Sequence, residues 1–292
     1  MRTGAAQRYA GGSMRALVAT IGKGLCLGLS AASFFPGHAA AVEDAVQLSK
    51  LARPSSAAAG STQSVAAAPF TIATQALAAN SPKRANFERE RASRASRHVA
   101  DWVVDSGDNH GMPFAIVDKT DAKVFVFDAL GRLRGAAPAL LGLARGDDAV
   151  PGIGDRALSS ISPGERTTPA GRFVAALGMN AHGQDILWVD YNSAVSMHRV
   201  ITTKPKERRL QRLATATPLD NRISYGCINV PAKFYENVVR PAFTGTNGIV
   251  YVLPETRSTR EVFASYDVDE HARLKSASQA VSAQVTAAAV GR

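Results

Sequence analysis

Two cysteines in 292 residues cannot build a disulfide framework. The chain also lacks an apolar run able to span a bilayer: its longest apolar segment, Gly24 to Phe35, is too short and too glycine-rich. Aromatic residues make up only 7% and do not interleave with the two dense basic runs, Arg84 to Arg97 and Lys204 to Arg212. The formal net charge of +10 therefore reads as solvated faces, or as surfaces drawn to anionic envelope polymers, and not as a nucleic-acid interface. No Ser-x-x-Lys occurs, which excludes the serine acyltransferases built on that motif. Gly152-Ile153-Gly154 lacks the third glycine of a dinucleotide loop, and no Gly-Lys-Ser/Thr cradle for phosphate is present. No two histidines stand close enough to make a local metal-binding pair. Neither a metal nor an organic cofactor is expected.

The N-terminus has the order of an export signal. Arg2, Arg8, Arg15 and Lys23 form a basic region, the apolar segment follows, and Ala39-Ala40-Ala41 offers small residues for cleavage. Residues 1–41 are read as a signal peptide, which directs the protein to the periplasm or cell envelope and leaves no stable membrane span. Cleavage removes Cys26 and leaves Cys227 alone. A lone thiol outside the cytoplasm has no partner for an internal disulfide and is exposed to oxidation, so a nucleophilic role is the stronger reading, with a small buried hydrophobe as the alternative.

From residue 42 to about 112 the chain reads as an Ala/Ser-rich linker and extension, with a short helix over Val42 to Leu51 and a highly charged, solvated helix over Ala85 to Val99 that packs beside the main domain. The texture then changes. Pro113 to Asp118 and Lys123 to Asp128 form a hairpin about Lys119-Thr120-Asp121, and the unbroken apolar Val124-Phe125-Val126-Phe127 predicts a strand buried on both faces. Leu133 to Leu143 continues the chain, and Arg145 to Pro163 is a Gly/Pro/Asp-rich loop. Gly171 to Leu177, Ile186 to Asp190, Ala194 to Val200 and Ile249 to Leu253 complete the strands. Repeated short strands with few helices predict a mainly β, sandwich- or barrel-like domain over residues 113–254. Residues 255–292 form a tail, a peripheral helix or a disordered segment beyond Asp267.

The segment Arg222-Ile223-Ser224-Tyr225-Gly226-Cys227-Ile228-Asn229-Val230-Pro231 places the cysteine just ahead of a helix that starts at Pro231 and carries Phe234, Val238 and Val239 on one stripe. The positive end of that helix is expected to favour thiolate. Five histidines remain after cleavage as bases: His98, His110, His182, His198 and His271. His198 stands out because the strand Ala194 to Val200 would hold its imidazole rigidly, with a satisfied core histidine as the plain alternative.

Ser224-Tyr225-Gly226-Cys227-Ile228-Asn229 resembles the Ser/Thr-His-Gly-Cys-apolar-Asn/Arg signature of the YkuD-type L,D-transpeptidases, and Thr168-Pro169-Ala170-Gly171-Arg172-Phe173 resembles that family's Thr-Pro-x-Gly-x-Phe segment. The resemblance covers roughly Pro113 to Pro254. It implies a β sandwich-like domain with a cysteine in a cleft, acting on peptidoglycan stem peptides. It implies Cys227 as nucleophile, His198 as base, the Arg199 carbonyl as the group that orients the imidazole, and Gly226 with Cys227 as amide donors to an oxyanion. Ser224, Arg222 and Asn229 would shape the cleft. Tyr225 stands where the family has histidine and removes a positive charge while keeping a donor. The stretch Arg199 to Ile223 is longer than the family's usual mid-teens gap; the surplus reads as an inserted lid, a docking surface for an anionic partner, or a plain solvated loop. The implied product is a 3→3 cross-link or an attachment to another amine, such as one on an envelope protein. Hydrolysis by the same cysteine, as an L,D-carboxypeptidase or amidase, and a non-catalytic wall-binding module are the alternatives.

Overall fold

The computed structural model of the protein describes residues 81–290. The expected signal peptide, residues 1–41, and the linker over residues 42–80 with its short helix at Val42 to Leu51 lie outside the described residues.

The first described helix, α1, spans Arg94–Ser106. Ser93 caps it by accepting from the Ser96 amide, and Gly107 closes it at φ 73°, a left-handed conformation that glycine adopts without penalty. The helix is therefore displaced from the expected Ala85 to Val99. It packs beside the domain as expected, through Val99, Ala100, Trp102 and Val103, which recur at helical spacing and are buried against the sheet. The folded body accordingly begins ahead of Pro113. The dense charge before Ser93 hid an apolar stripe that lies mostly after it.

Strands β1 (Phe114–Asp118) and β2 (Lys123–Phe127) form the expected antiparallel hairpin, with Phe114 opposite Phe127. Strand β3 (Leu133–Pro138) pairs with β2, and the short β4 (Leu141–Gly142) follows. After a loop of three 3₁₀ turns between Ile153 and Glu165 come β5 (Gly171–Met179), β6 (Asp185–Asp190) and β7 (Val195–Arg199), an antiparallel meander. The surplus segment folds as a 3₁₀ turn at Pro205–Glu207 and helix α2 (Arg209–Ala214). Then follow β8 (Arg222–Ser224), β9 (Ile228–Val230), helix α3 (Ala232–Phe234), a π-helical stretch at Tyr235–Val239 and helix α4 (Arg240–Phe243). Strand β10 (Gly248–Val252) and helices α5 (Thr259–Phe263) and α6 (Val268–Val290) end the described chain.

Eight strands form one mixed sheet in the order β3-β2-β1-β10-β5-β6-β7-β9, and β4 pairs with β8 beside it. The Leu140 and Asn229 backbones exchange both hydrogen bonds, at 2.8 and 2.9 Å, so chain leaving one edge strand reaches the other edge and the sheet nearly closes. The fold is mainly β with few helices, as the strand pattern predicts. Strand parity splits the core in two. Ala115, Val117, Val124 and Val126 join Met197, Ile228 and Val250 on one face. Phe114, Ile116, Phe125 and Phe127 join Tyr251 and α1 on the other. There Phe114 stacks on Phe127 at 4.8 Å and Phe87 meets Phe127 edge-on at 5.0 Å. Each such pair adds about 0.5–1.5 kcal/mol beyond burial.

The C-terminal tail is helical. Phe263 and Val268 are buried on the α1 side of the sheet, whereas Leu274, Val281 and Val285 further along α6 are exposed. Among the described residues no helix is long and apolar enough to cross a membrane.

Candidate active site

Strands β7 and β9 run parallel, with Met197 opposite Ile228 and His198 opposite Asn229. Val195, Met197, Ile228 and Val230 point into the core. Alternation then sends Ser196, His198, Cys227 and Asn229 to the other face. Strand β7 carries the imidazole, and the turn that leads into β9 carries the thiol beside it.

The thiol is half-buried and free. The Ser196 hydroxyl lies 3.7 Å from Cys227 Sγ, as does the Ala194 carbonyl oxygen. The His198 Nδ1 lies 2.7 Å from the Arg199 carbonyl oxygen. A carbonyl can only accept, so Nδ1 carries the proton and Nε2 is left to face sulfur. Burial pushes the Cys227 thiol up, but the His198 ring and the Ser196 donors outweigh it, and the thiol sits below its ordinary value of 9.0. Burial lowers His198, but the hydrogen bond and negative charge of Cys227 outweigh that and hold the imidazole above 6.5. The shifts are reciprocal: each group favours the charged form of the other. Of the five candidate bases, His198 is the ring beside the cysteine. His98 instead meets the Ser265 hydroxyl at 3.0 Å, and His271 packs on Tyr266.

The helix end does not activate the thiol as expected. Strand β9 intervenes between Cys227 and α3, and three extended residues put about 10 Å between them, beyond the first turn over which a helix dipole acts. The proximity of Pro231 to the cysteine in sequence conceals that strand.

Gly226 has φ 129°, and a Cβ there would lie 2.8 Å from the Thr167 carbonyl oxygen. Its amide donates to Ser224 Oγ at 3.1 Å, while that hydroxyl donates to the Cys227 carbonyl at 2.6 Å. Ser224 is buried and cinches the cysteine turn. Asn229 Nδ2 donates to the same carbonyl at 3.2 Å. The Arg222 guanidinium pairs with Glu255 at 2.6 Å and donates to the Lys119 carbonyl at 3.0 Å. Beside it Lys119 and Asp147 form a fully buried ion pair at 2.8 Å.

Several members of the site went unforeseen. Thr168 Oγ1 accepts from the Gly142 amide at 2.9 Å and donates to the Gly226 carbonyl at 2.8 Å, bracing the cysteine turn from below. Arg209, on the surplus segment, donates to Asn229 Oδ1 at 2.7 Å and pairs with Glu207 at 2.6 Å. Arg209 thus ties that segment to Asn229, while most of the segment's residues are exposed. Arg166 lies over the Tyr225 ring, 3.9 Å from its centroid. Only its adjacency to Thr167-Thr168-Pro169 could have pointed to Arg166. Among the described residues no three His, Cys, Asp or Glu side chains gather to hold a metal ion. Cavities of about 320 and 580 Å³ lie elsewhere, lined by residues such as Arg134 and Pro241 in one and Arg94 and His98 in the other, so chemistry and not volume marks this site.

No family model matches the chain, and no curated protein is significantly similar to it. Solved structures that resemble it include the helical cell shape determining protein Pgp2 (K307A mutant) from Campylobacter jejuni, at 15% identity over 63% of this chain and 62% of that one, with a TM-score of 0.35. The L,D-transpeptidase (residues 123-326) from Xylanimonas cellulosilytica matches at 14% identity over 48% and 60%, TM-score 0.29. The Enterococcus faecium L,D-transpeptidase C442S mutant matches at 14% over 49% and 50%, TM-score 0.27. The chain spans about three fifths or less of the length of these three solved chains.

Proposed function

We propose that the protein is an exported cysteine acyltransferase, an L,D-transpeptidase acting on peptidoglycan tetrapeptide stems. The observation that carries this reading is the Cys227–His198–Arg199 carbonyl relay, in which a thiol shifted down, on the turn into β9, stands beside an imidazole shifted up, on β7.

In the first half-reaction Cys227 Sγ attacks the carbonyl carbon of the third, L-centred residue. The oxyanion that forms needs amide donors, and the Cys227 amide is assigned to it. Gly226 can join only after its amide releases Ser224 Oγ. The C–N bond then breaks, imidazolium Nε2 gives its proton to the departing D-Ala amine, and a thioester is left. In the second half-reaction an acceptor amine attacks the thioester carbonyl and loses a proton to His198. The C–S bond breaks and the thiolate is restored. No step requires a metal or organic cofactor. An amine on a second stem gives a 3→3 cross-link; an amine on an envelope protein gives an attachment. The site of action is the periplasmic wall.

Mass spectrometry of tetrapeptide stems incubated with the protein tests this. Dimers with loss of D-Ala are expected, and Cys227→Ala abolishes them. Trimmed monomers alone would replace transfer by hydrolysis. Unchanged stems with an unreactive thiol at pH 7–8 would leave a wall-binding module.

A further inference from the structure

The Arg166 guanidinium carbon lies 3.9 Å from the centroid of the Tyr225 ring, two residues before Cys227. Its position is fixed by backbone as well: the Ala144 amide donates to the Arg166 carbonyl at 3.1 Å, and the following Thr167 and Thr168 run against Gly226. Arg166 Nε and Nη2 both donate to the Ile161 carbonyl, at 3.3 and 3.1 Å. That contact uses two of the five N–H donors a guanidinium carries and leaves the Nη1–Nη2 edge unspent. Among the described residues no carboxylate pairs with Arg166, whereas Arg156, Arg172, Arg199, Arg209 and Arg222 each have one. A half-buried cation held rigidly, without an anion, beside a reactive thiol is arranged for an anion that arrives with the substrate.

We infer that Arg166, mounted on the Tyr225 ring, binds the terminal carboxylate of the donor peptide, one residue beyond the bond that Cys227 attacks. The inference rests on the acyl-donor reading of the site. Tyr225 acts as a platform: stacking leaves the guanidinium edge free, which a bidentate carboxylate matches. The positive charge that a histidine would bring at position 225 is supplied by Arg166 from a neighbouring loop. A donor with a neutral C-terminus forfeits the charge-assisted pair.

The experiment compares a tetrapeptide donor ending in a free carboxylate with the same peptide ending in a carboxamide, on wild type, Arg166→Gln and Arg166→Lys. Wild type is expected to show a KM about ten- to hundredfold lower for the carboxylate, the range of a hydrogen bond to a charged group. Arg166→Gln is expected to erase that preference by raising KM for the carboxylate donor alone, with kcat on either donor little changed. Arg166→Lys keeps charge but loses the flat fork, and recovers only part. A circular dichroism spectrum and Tm matching wild type show that the variants keep the fold. A carboxylate preference that survives Arg166→Gln in so folded protein overturns the inference. If wild type turns over neither donor, the acyl-transfer reading has failed, and calorimetric binding of the two peptides to Cys227→Ala, with and without Arg166→Gln, decides the inference alone. An Arg166-dependent preference supports it, and equal binding overturns it.

Discussion

His198→Ala is the sharpest perturbation of the Cys227–His198 pair. The thiol's ordinary value is 9.0, at which about 1% is thiolate at pH 7. In the wild type His198 holds it lower. Removing the ring leaves burial as the chief influence, and burial pushes the thiol up, so the variant's thiolate fraction at pH 7 falls below that about 1%. Part of the rate difference is offset, because a less basic thiolate is intrinsically less nucleophilic, by a slope of about 0.4–0.5. The net expectation is a loss of about tenfold or more in iodoacetamide labelling of Cys227 at pH 7, and about 10²–10⁴-fold in acyl transfer, where proton delivery is lost as well. The pH profile carries the sign. The thiolate is lost as pH falls through its lowered value, and the imidazolium is lost as pH rises through its raised value. Wild-type transfer should therefore be bell-shaped between the two, while labelling levels off below pH 9. In His198→Ala labelling should climb steadily through pH 9. A wild-type profile that also climbs through pH 9, or a variant labelled at the wild-type rate at pH 7, would refute the pairing.

Three further substitutions test what holds the site in place. Gly226→Ala forces a side chain into φ 129° with its Cβ 2.8 Å from a carbonyl oxygen; a loss of about 1–3 kcal/mol from backbone strain is expected in urea unfolding, with slower labelling of Cys227. Thr168→Val strands the buried Gly142 amide and Gly226 carbonyl, at about 1–3 kcal/mol for each, and should lower transfer even where the variant remains folded by circular dichroism. Lys119→Met removes the nearer of two cations from buried Asp147, leaving Arg257 at 3.8 Å, a loss of up to about 3 kcal/mol readable as a drop in Tm. Burial alone would raise Asp147, but Lys119, the Thr256 hydroxyl and the Glu255 and Thr256 amides hold it well below 3.8. Its contribution is therefore present above the ordinary carboxylate range and fades only as pH falls through the depressed value, so wild type should resist acid to a lower pH than Lys119→Met.

The parts of the fold legible in the chain are those whose signal is local. Val124 to Phe127 alternates between two apolar partners rather than between core and water, and all four side chains are buried. Helix α1 was legible only in part, because its stripe at Val99, Trp102 and Val103 follows a run of charges that belongs mostly to the segment before Ser93. The partners in the long-range contacts left little local trace. Thr168 stands in the Thr-Pro-x-Gly-x-Phe segment and Arg209 in the basic run, but neither pattern names the Gly226 carbonyl or Asn229 as its partner, and Arg166 carries no signal of its own. Arg222 reads as a cleft residue because it stands beside the motif, and nothing in that motif names Glu255, in the segment after β10, as the partner of its guanidinium.

The misplaced helix end shows where the activation of the thiol resides. Ile228-Asn229-Val230 is too short to declare itself as a strand, and Pro231 invites the helix to be read straight onto Cys227. With β9 in place, the dipole is out of range and register takes over. The core demands Met197 and Ile228 inward, and that demand alone turns His198 and Cys227 to the same outer face. A slip of one residue between β7 and β9 would turn the imidazole into the core and expose a methionine, so the apolar core itself guards the placing of His198 beside Cys227. Substitutions at Met197 or Ile228 that keep volume should then preserve both stability and Cys227 labelling. A polar replacement such as Met197→Gln should weaken both together, as seen by parallel losses in Tm and in labelling rate at pH 7. Loss of one without the other would mean that something besides strand register holds the imidazole to the sulfur.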